Sequence, residues 1–333
     1  MALLELNEVS IEYKLSNGKL KAVDNVSLNV ENGDVVGLVG ESGCGKSTLI
    51  KGIINLLPSN GKITNGEVIF EGEDLSKLEF EKMRKKRWKE ISMITQSAMN
   101  SLNPVYRVGN QITEVILEHE KMSKHDAMEK AKELFDLVGL DRARLEDYPH
   151  QYSGGMKQRA IIAMSLALDP KLIIADEPTT ALDVIVQSQI LEKINALLEG
   201  YSGSMILVTH DISVVAQTCN KVAVMYGGRI IEYGDVKQVL KKPNHPYTMG
   251  LKNAFPSLTG EKKDLISIEG TPPDLSKKID GCRFKDRCPF VLDKCKSGEM
   301  PFTRVESGYY YCARHDEIDH LRELADLSET WDV

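Results

Sequence analysis

The sequence has no stretch of about 18 consecutive apolar residues, so we expect no helix of this chain to span a bilayer. Its first residues, MALLELNEVSIEY, have no basic segment followed by a continuous apolar one, so a secretory signal peptide is not expected. The chain also lacks the basic excess typical of nucleic-acid-binding proteins, because its formal net charge at pH 7 is -7. We therefore expect a cytoplasmic protein without a nucleic-acid partner, which reaches a membrane only through other chains.

Hydrophobic residues make up 42% of the 333 positions, which is enough for one large core or for one core with a small appended domain. Three short apolar runs, each typical of a buried strand, alternate with stretches of helical spacing: DVVGLVG, KLIIAD and SMILVTHD. From about residue 126 to 139 the spacing is helical, and four apolar residues fall on one face: Ala127, Ala131, Leu134 and Val138. This alternation predicts an α/β fold with a parallel sheet.

The character of the chain changes after about residue 240. Five of the twelve prolines lie between Pro243 and Pro273, and this density predicts an extended linker. A cysteine-rich segment and a charged, helix-like tail follow the linker. We therefore expect a main domain over residues 1–240, a linker over 241–280 and a C-terminal domain over 281–333.

A glycine-rich segment at residues 40–47, GESGCGKS, fits the phosphate-binding pattern G-x-x-x-x-G-K-[ST]. It follows an apolar strand and opens a helix, KSTLIKGIINLL, which is the context that this pattern requires. Glycines let backbone N–H groups converge on phosphate oxygens, and a helix N-terminus favours negative charge. Lys46 is expected to reach the β- and γ-phosphates of a nucleotide, and Ser47 to ligate Mg²⁺. The predicted nucleotide contacts are Gly40, Ser42, Gly43, Cys44, Gly45, Lys46, Ser47 and Thr48.

A second motif, KLIIADEP, places Asp176 and Glu177 at the end of a predicted buried strand. This is the pattern of a Walker B element, in which Asp176 would hold Mg²⁺. Glu177 is placed to polarise an attacking water molecule as a general base. A strand that ends in Asp-Glu is common, so the assignment of this motif depends on its position after the phosphate loop in the sequence.

The segment SGGMKQR at residues 153–159, together with these two motifs, resembles the signature sequence of ABC transporter ATPases, with methionine in place of the usual glutamine. The resemblance implies that Ser153, Gly154 and Gly155 bind the γ-phosphate held by an opposite subunit. ATP would then lie between two ATPase subunits, and one chain alone could not form a complete site. The implied fold is an ABC-type P-loop α/β domain with an antiparallel β region and a helical subdomain over about residues 97–165.

Four further residues match the family by their positions. Gln96 resembles the Q-loop glutamine that touches the Mg²⁺ region, and Asp183 resembles the D-loop aspartate at the subunit interface. His210 is similar to the switch histidine that contacts the γ-phosphate. Tyr13 resembles the aromatic residue that stacks on adenine. The resemblance therefore implies that catalysis rests on Glu177, His210, Gln96 and Lys46, with Ser47, Gln96 and Asp176 around Mg²⁺.

Several segments are similar to importers of dipeptides and oligopeptides, namely SLNPV, YPHQYSGGMKQR, ADEPTTALDV, HPYT and GCRFKDRCP. SLNPV and TTALDV resemble the D-type ATPase of that family more than the F-type. The resemblance implies a peripheral ATP hydrolase at the cytoplasmic face of the membrane. Its partners would be an F-type ATPase, two transmembrane permease subunits and, indirectly, an extracytoplasmic substrate-binding protein. The same motor for another solute, such as oligosaccharides, and an ABC ATPase outside transport are the alternatives.

Four of the six cysteines lie in the last 52 residues: Cys282, Cys288, Cys295 and Cys312. In a reducing compartment such a cluster favours a metal site over a disulfide framework. The spacing fits structural zinc poorly and matches neither common ferredoxin pattern. The resemblance to peptide-importer ATPases implies a [4Fe–4S] cluster that staples the segment, with a redox sensor as the alternative. Neighbouring basic residues would offset the charge of the cluster: Arg283, Lys285, Arg287 and Arg314.

Overall fold

A computed structural model describes residues 2–16, 18–96, 101–178, 187, 192, 203–254 and 266–331. The chain divides into two compact units. The first unit contains residues 1–30, 36–76 and 209–333, and the second unit contains residues 31–35 and 77–208. Both units are therefore assembled from segments that are far apart in sequence.

The described residues form twelve β-strands, most of them short. In chain order they are β1 (Leu4–Leu15), β2 (Gly18–Val30), β3 (Val35–Val39), β4 (Gly61–Phe70), β5 (Glu73–Asp74), β6 (Ile91–Ile94), β7 (Leu172–Asp176), β8 (Ser204–Thr209), β9 (Lys221–Tyr226), β10 (Arg229–Asp235), β11 (Phe302–Val305) and β12 (Gly308–Tyr311).

Nine α-helices lie within the same ranges, besides several short 3₁₀ turns. They are α1 (Lys46–Ile53), α2 (Phe80–Lys86), α3 (Val108–His119), α4 (Lys124–Leu137), α5 (Gly154–Ser165), α6 (Ile212–Thr218), α7 (Val236–Lys241), α8 (Pro246–Asn253) and α9 (Ile318–Ala325).

The first unit contains an antiparallel sheet of four strands and a second set of five strands, of which one pair is parallel. The antiparallel sheet has the order β2-β1-β4-β5. The other strands have the order β11-β12-β10-β9-β3, in which β3 pairs with β9 in parallel and the remaining pairs are antiparallel. β3 is the strand that leads into the phosphate loop, and four of its five residues are buried.

The second unit contains the parallel strands β8-β7-β6 and the consecutive helices α3, α4 and α5. Every residue of β7 and β8 is buried, as their continuous apolar runs predict. Helix α4 begins after Ser123, whose side chain accepts a hydrogen bond from the Asp126 N–H at 3.1 Å. The four residues predicted to share one apolar face are 0–7% exposed, which confirms that prediction. The α/β class is also confirmed.

The C-terminal residues do not form the separate small domain that the sequence suggested. Strand β12 pairs with β10, so the cysteine-rich segment joins the strands of the first unit and shares its core. The proline-rich region also differs from an extended linker, because it contains α8. Pro246 occupies the first turn of that helix, where a backbone N–H would have no partner within the helix. The His245 ring caps the helix by accepting a hydrogen bond from the Tyr247 N–H at 3.0 Å.

A buried carboxyl group on β10 anchors the start of α8. Glu232 is 1% exposed and accepts hydrogen bonds from the backbone N–H groups of Asn244 at 2.6 Å and His245 at 3.0 Å. Burial raises the pKa of Glu232 from 4.5 to about 7, even though these hydrogen bonds favour the charged form. Burial also lowers the pKa of His245 to about 3, so this imidazole is neutral at physiological pH.

The raised pKa of Glu232 predicts a measurable pH dependence of stability. The pKa of Glu232 is higher in the folded state than in the unfolded state, so folding favours the protonated carboxyl group. The stability that this group contributes is therefore complete below about pH 4.5 and is lost as the pH rises towards 7. In Glu232→Gln this component is absent. Between pH 4.5 and 8 the free energy of unfolding of the wild type should fall relative to that of Glu232→Gln by about 3 kcal/mol. Urea titrations of both proteins at several pH values measure this difference, and a constant difference would contradict the assignment.

Candidate nucleotide-binding site

The phosphate loop joins β3 to α1 through glycines that no other residue can replace easily. Gly40 and Gly45 have φ angles of 151° and 106°, in the region that favours glycine. A Cβ atom on Gly40 would lie 2.1 Å from the carbonyl oxygen of Met225, and one on Gly45 would lie 2.3 Å from that of Ala22. The loop is therefore held between β9 and β2 at distances that exclude a side chain.

Lys46 places a buried ammonium group inside this loop. The residue is 6% exposed, and its Nζ donates to the carbonyl oxygens of Gly40 at 2.6 Å and Glu41 at 2.9 Å. Helix α1 begins at Lys46 and has no acidic residue in its first turn. The positive charge and the helix N-terminus are thus adjacent, which suits the binding of an anion.

The remaining predicted residues of the loop lie around this charge. Ser42 and Gly43 are exposed, and Ser47 and Thr48 are half-buried in the first turn of α1. The hydroxyl groups of Tyr13 and Thr48 share a hydrogen bond of 3.1 Å, and the Tyr13 ring is half-buried. Tyr13 therefore lies beside the start of α1, while its contact with adenine stays a prediction.

Cys44 is a buried thiol with no sign of activation. It is 2% exposed, and its sulfur lies 3.7 Å from the Lys46 ammonium. Burial raises the pKa of Cys44 above its ordinary value despite the neighbouring charge, so the thiol stays protonated at neutral pH. This agrees with a space-filling role and not with that of a nucleophile.

The second unit brings two predicted catalytic residues together at the ends of adjacent strands. Gln96 follows β6 and Glu177 follows β7, and these strands are parallel neighbours. The Gln96 Nε2 donates to Glu177 Oε2 at 2.9 Å. Asp176, the last residue of β7, is 3% exposed.

Glu177 has a backbone conformation that is rare for residues other than glycine. Its φ angle is 47°, and its N–H donates to the carbonyl oxygen of Val208 at 2.9 Å. Such a conformation costs energy and persists where the surroundings enforce it, often at functional sites. Here it turns the chain sharply where β7 ends and the Gln96 contact is made.

The signature segment forms a capped helix N-terminus. Ser153 precedes α5, and its hydroxyl accepts from the Met156 N–H at 3.3 Å. Ser153 is exposed, and Gly154 and Gly155 are the first residues of the helix, whose first turn contains no acidic residue. This arrangement can receive an anion.

His210 and Asp183 complete the predicted nucleotide contacts. His210 is exposed and follows β8 directly. The next residue, Asp211, caps α6 by accepting from the Ser213 N–H at 2.8 Å. Asp183 lies outside the described residues.

The prediction of a [4Fe–4S] cluster is wrong for this structure. Cys282, Cys288, Cys295 and Cys312 do line one cavity, but its volume is about 10 Å³, roughly the room of a single water molecule. In the part of the chain that is described, no three His, Cys, Asp or Glu side chains are arranged to hold a metal ion. Burial raises the pKa of Cys282 and Cys312 to about 11, so both side chains are protonated thiols at neutral pH.

The arginines beside these cysteines also differ from their expected role. Arg283 donates to Asp24 and to the Gly227 carbonyl oxygen, and Arg314 donates to Glu317 and the Phe290 carbonyl oxygen. Their charges are therefore balanced by protein groups.

Two contacts of the phosphate loop are not indicated by any single motif. The Glu41 N–H donates to the hydroxyl of Tyr247 at 3.0 Å, and the Glu41 carboxylate pairs with Arg287. Tyr247 belongs to the HPYT segment and Arg287 to the GCRFKDRCP segment, more than 200 residues away in sequence. The only sequence signal for these residues was the resemblance of the two segments to peptide-importer ATPases.

The loop geometry defines a P-loop nucleotide-binding protein, since a buried strand, a left-handed glycine loop, a buried lysine and a helix N-terminus occur in the required order. The ABC transporter family model matches residues 23–180, and the model of the oligopeptide/dipeptide transporter C-terminal region matches residues 231–295. The chain belongs to the ABC transporter ATPase family, because relatives named as ATP-binding proteins of dipeptide or oligopeptide transport are 43–45% identical over 89–92% of it. This membership confirms the prediction of an ATP-hydrolysing ABC subunit, a class that binds ATP, normally with Mg²⁺.

Several curated relatives are similar over most of their length. The dipeptide transport ATP-binding protein DppD of Lactococcus lactis subsp. cremoris is 45% identical, over 92% of this chain and 89% of that protein. The oligopeptide transport ATP-binding protein OppD of Bacillus subtilis is 44% identical, over 92% of this chain and 87% of that protein. OppD of Escherichia coli is 43% identical, over 89% of this chain and 88% of that protein.

Solved structures confirm the ABC-type fold. A dimeric ATP-binding cassette in a post-hydrolysis state, bound to ADP and Pi, matches with a TM-score of 0.64 and 28% identity. The match covers 70% of this chain and 98% of that one.

Two substitutions in the loop test the different roles of its buried side chains. Lys46→Ala removes the charge that is predicted to contact the phosphates and should lower ATP turnover by roughly 10²-fold or more. Cys44→Ala should keep turnover within about threefold of wild type, because the loop requires only the backbone at this position. Steady-state ATPase assays on folded proteins measure both, and an inactive but folded Cys44→Ala would contradict the assignment of the thiol.

Proposed function

We propose that this chain is the ATP-binding and ATP-hydrolysing subunit of an ABC importer for dipeptides or oligopeptides. The observation that supports the cargo is the 43–45% identity to proteins named for dipeptide and oligopeptide transport, together with the matching C-terminal region. In the described residues no helix is long and apolar enough to cross a membrane. Two permease subunits would form the transport path, with this chain at their cytoplasmic face.

In the proposed site the phosphate loop holds the triphosphate. The Lys46 ammonium lies against the loop carbonyls and would donate to the β- and γ-phosphate oxygens. Backbone N–H groups of residues 40–48 and the α1 N-terminus would bind the remaining oxygens. The half-buried Tyr13 ring, fixed by its hydrogen bond to Thr48, is the proposed support for adenine.

The residues proposed to hold Mg²⁺ have donors that suit this ion. Ser47 offers a hydroxyl, Asp176 a carboxylate and Gln96 an amide oxygen, and Mg²⁺ prefers oxygen ligands. When bound, Mg²⁺ would neutralise charge on the phosphates. The 3% exposure of Asp176 keeps its carboxylate away from bulk water.

Hydrolysis is proposed to depend on Glu177 as the general base. The hydrogen bond from Gln96 at 2.9 Å and the left-handed backbone of Glu177 fix its carboxylate at the strand end. That carboxylate would accept a proton from the attacking water, and His210 would contact the γ-phosphate. The capped N-terminus of α5, with Ser153, Gly154 and Gly155, would close on ATP held by the other ATPase subunit. Asp183 is proposed to lie at that interface.

Replacing the proposed base should separate binding from hydrolysis. Glu177→Gln should bind MgATP with wild-type affinity but hydrolyse it roughly 10²–10⁴-fold more slowly, because the amide cannot accept the proton. Isothermal titration measures the affinity for MgATP, and phosphate release measures the rate of hydrolysis. Glu133→Gln is a matched control on the exposed face of α4 and should hydrolyse at the wild-type rate. Near wild-type hydrolysis by Glu177→Gln would remove this residue from the role.

The proposed partner is a second, different ATPase chain of the F-type. Motifs resembling the D-type subunit support this, as do relatives named DppD and OppD. Peptide uptake in vesicles that contain both ATPases, the permease pair and the binding protein should require both chains. Full ATP-coupled uptake with this chain as the sole ATPase would contradict the heterodimer, and coupled uptake of oligosaccharides but not peptides would contradict the cargo.

A further inference from the structure

Arg287 is a buried cation in the C-terminal segment, with every guanidinium nitrogen engaged. Its side chain is 6% exposed. Nη1 donates to both carboxylate oxygens of Glu41, at 3.0 and 2.8 Å, and to the Tyr226 hydroxyl at 3.2 Å. Nε and Nη2 donate to the carbonyl oxygens of Glu269 at 2.7 Å and Ile268 at 2.9 Å. This geometry fixes the guanidinium in one orientation.

Glu41 is the second residue of the phosphate loop, and it is tied at three points. Its carbonyl oxygen accepts from the Lys46 ammonium at 2.9 Å, and its N–H donates to the Tyr247 hydroxyl at 3.0 Å. Its carboxylate is bound by Arg287. The residue that helps to hold the catalytic lysine is thus itself held by residues from α8 and from the cysteine-rich segment.

A buried aromatic cluster lies behind these contacts. The ring centroids of Tyr226 and Tyr247 are 4.6 Å apart, and the Phe284 ring lies 5.2 Å from the former and 5.4 Å from the latter. All three residues are at most 1% exposed. The Arg287 guanidinium carbon lies 5.8 Å from the centroid of Tyr226. The segment that carries Phe284 and Arg287 is therefore packed against Tyr247, whose hydroxyl binds the phosphate loop.

We propose that Arg287 is a positioning residue for nucleotide binding, which neutralises the Glu41 carboxylate and so lets the loop accept a triphosphate. The inference rests on the proposed role of the loop. A carboxylate within the loop would repel the phosphates in a partly buried site, where Coulomb interactions are stronger than in water. Pairing with Arg287 cancels this repulsion and fixes the carbonyl group that holds Lys46.

Paired substitutions distinguish this role from a merely structural one. In the full-length chain, Arg287→Gln should raise the Kd for MgATP about tenfold, because the Glu41 carboxylate is left unpaired beside the phosphates. The double variant Glu41→Gln/Arg287→Gln should return the Kd to within about threefold of wild type, since the repelling charge is gone. Arg304→Gln, an exposed arginine on β11, is the charge-matched control and should bind like wild type. Isothermal titration with MgATP gives the Kd values, and thermal unfolding monitors folding.

Three results would overturn the inference. One is a Kd of Arg287→Gln equal to that of wild type. A second is a weakened Kd that Glu41→Gln does not restore, since that indicates general loss of packing. If Arg287→Gln does not fold, Arg287→Lys replaces it. Because an ammonium at this position still neutralises the Glu41 carboxylate, the Kd of the Lys variant should stay within about threefold of wild type, and a tenfold weaker Kd would be the third. A wild-type chain that does not bind MgATP would overturn the proposed function itself.

Discussion

The first unit is organised around the ammonium of Lys46, a full positive charge that is almost completely removed from solvent. Burying such a group is unfavourable unless hydrogen-bond acceptors replace the lost water. The acceptors here are two carbonyl groups of its own loop, which has glycine residues with positive φ angles. The approach of Met225 and Ala22 to this loop leaves no room for a Cβ atom. Charge, backbone conformation and strand packing thus depend on one another.

A similar dependence links the ends of the parallel strands in the second unit. In the register of β6 and β7, Ile94 lies opposite Ala175, so the residues that follow both strands emerge at one edge. Gln96 and Glu177 are 81 residues apart in sequence and still share a hydrogen bond there. The left-handed backbone of Glu177 is tolerated because the parallel partner β8 binds its N–H through Val208.

The C-terminal segment supports the phosphate loop through its arginines and a phenylalanine, and not through its cysteines. Its arginines neutralise carboxylates of distant segments, Asp24 and Glu41, and its phenylalanine completes an aromatic cluster under the phosphate loop. A unit of this size has little core of its own, and here it gains one from the neighbouring strands through the β10–β12 pairing. The four thiols line a cavity of about 10 Å³, and Cys295 and Cys312 are buried.

The amino-acid sequence alone determined the local elements and the chemistry of the motifs. Apolar runs predicted β3, β7 and β8, and the GESGCGKS pattern predicted the anion-binding loop, because both features depend on neighbours in the chain. The tertiary structure alone decided which distant groups meet. The residues next to an arginine in the sequence do not show whether it balances the charge of an iron–sulfur cluster or pairs with Glu41, since a guanidinium binds any nearby anion or carbonyl group. Spacing likewise shows how many cysteines a segment has, but only packing sets the volume between their sulfurs, and that volume does not fit the cluster.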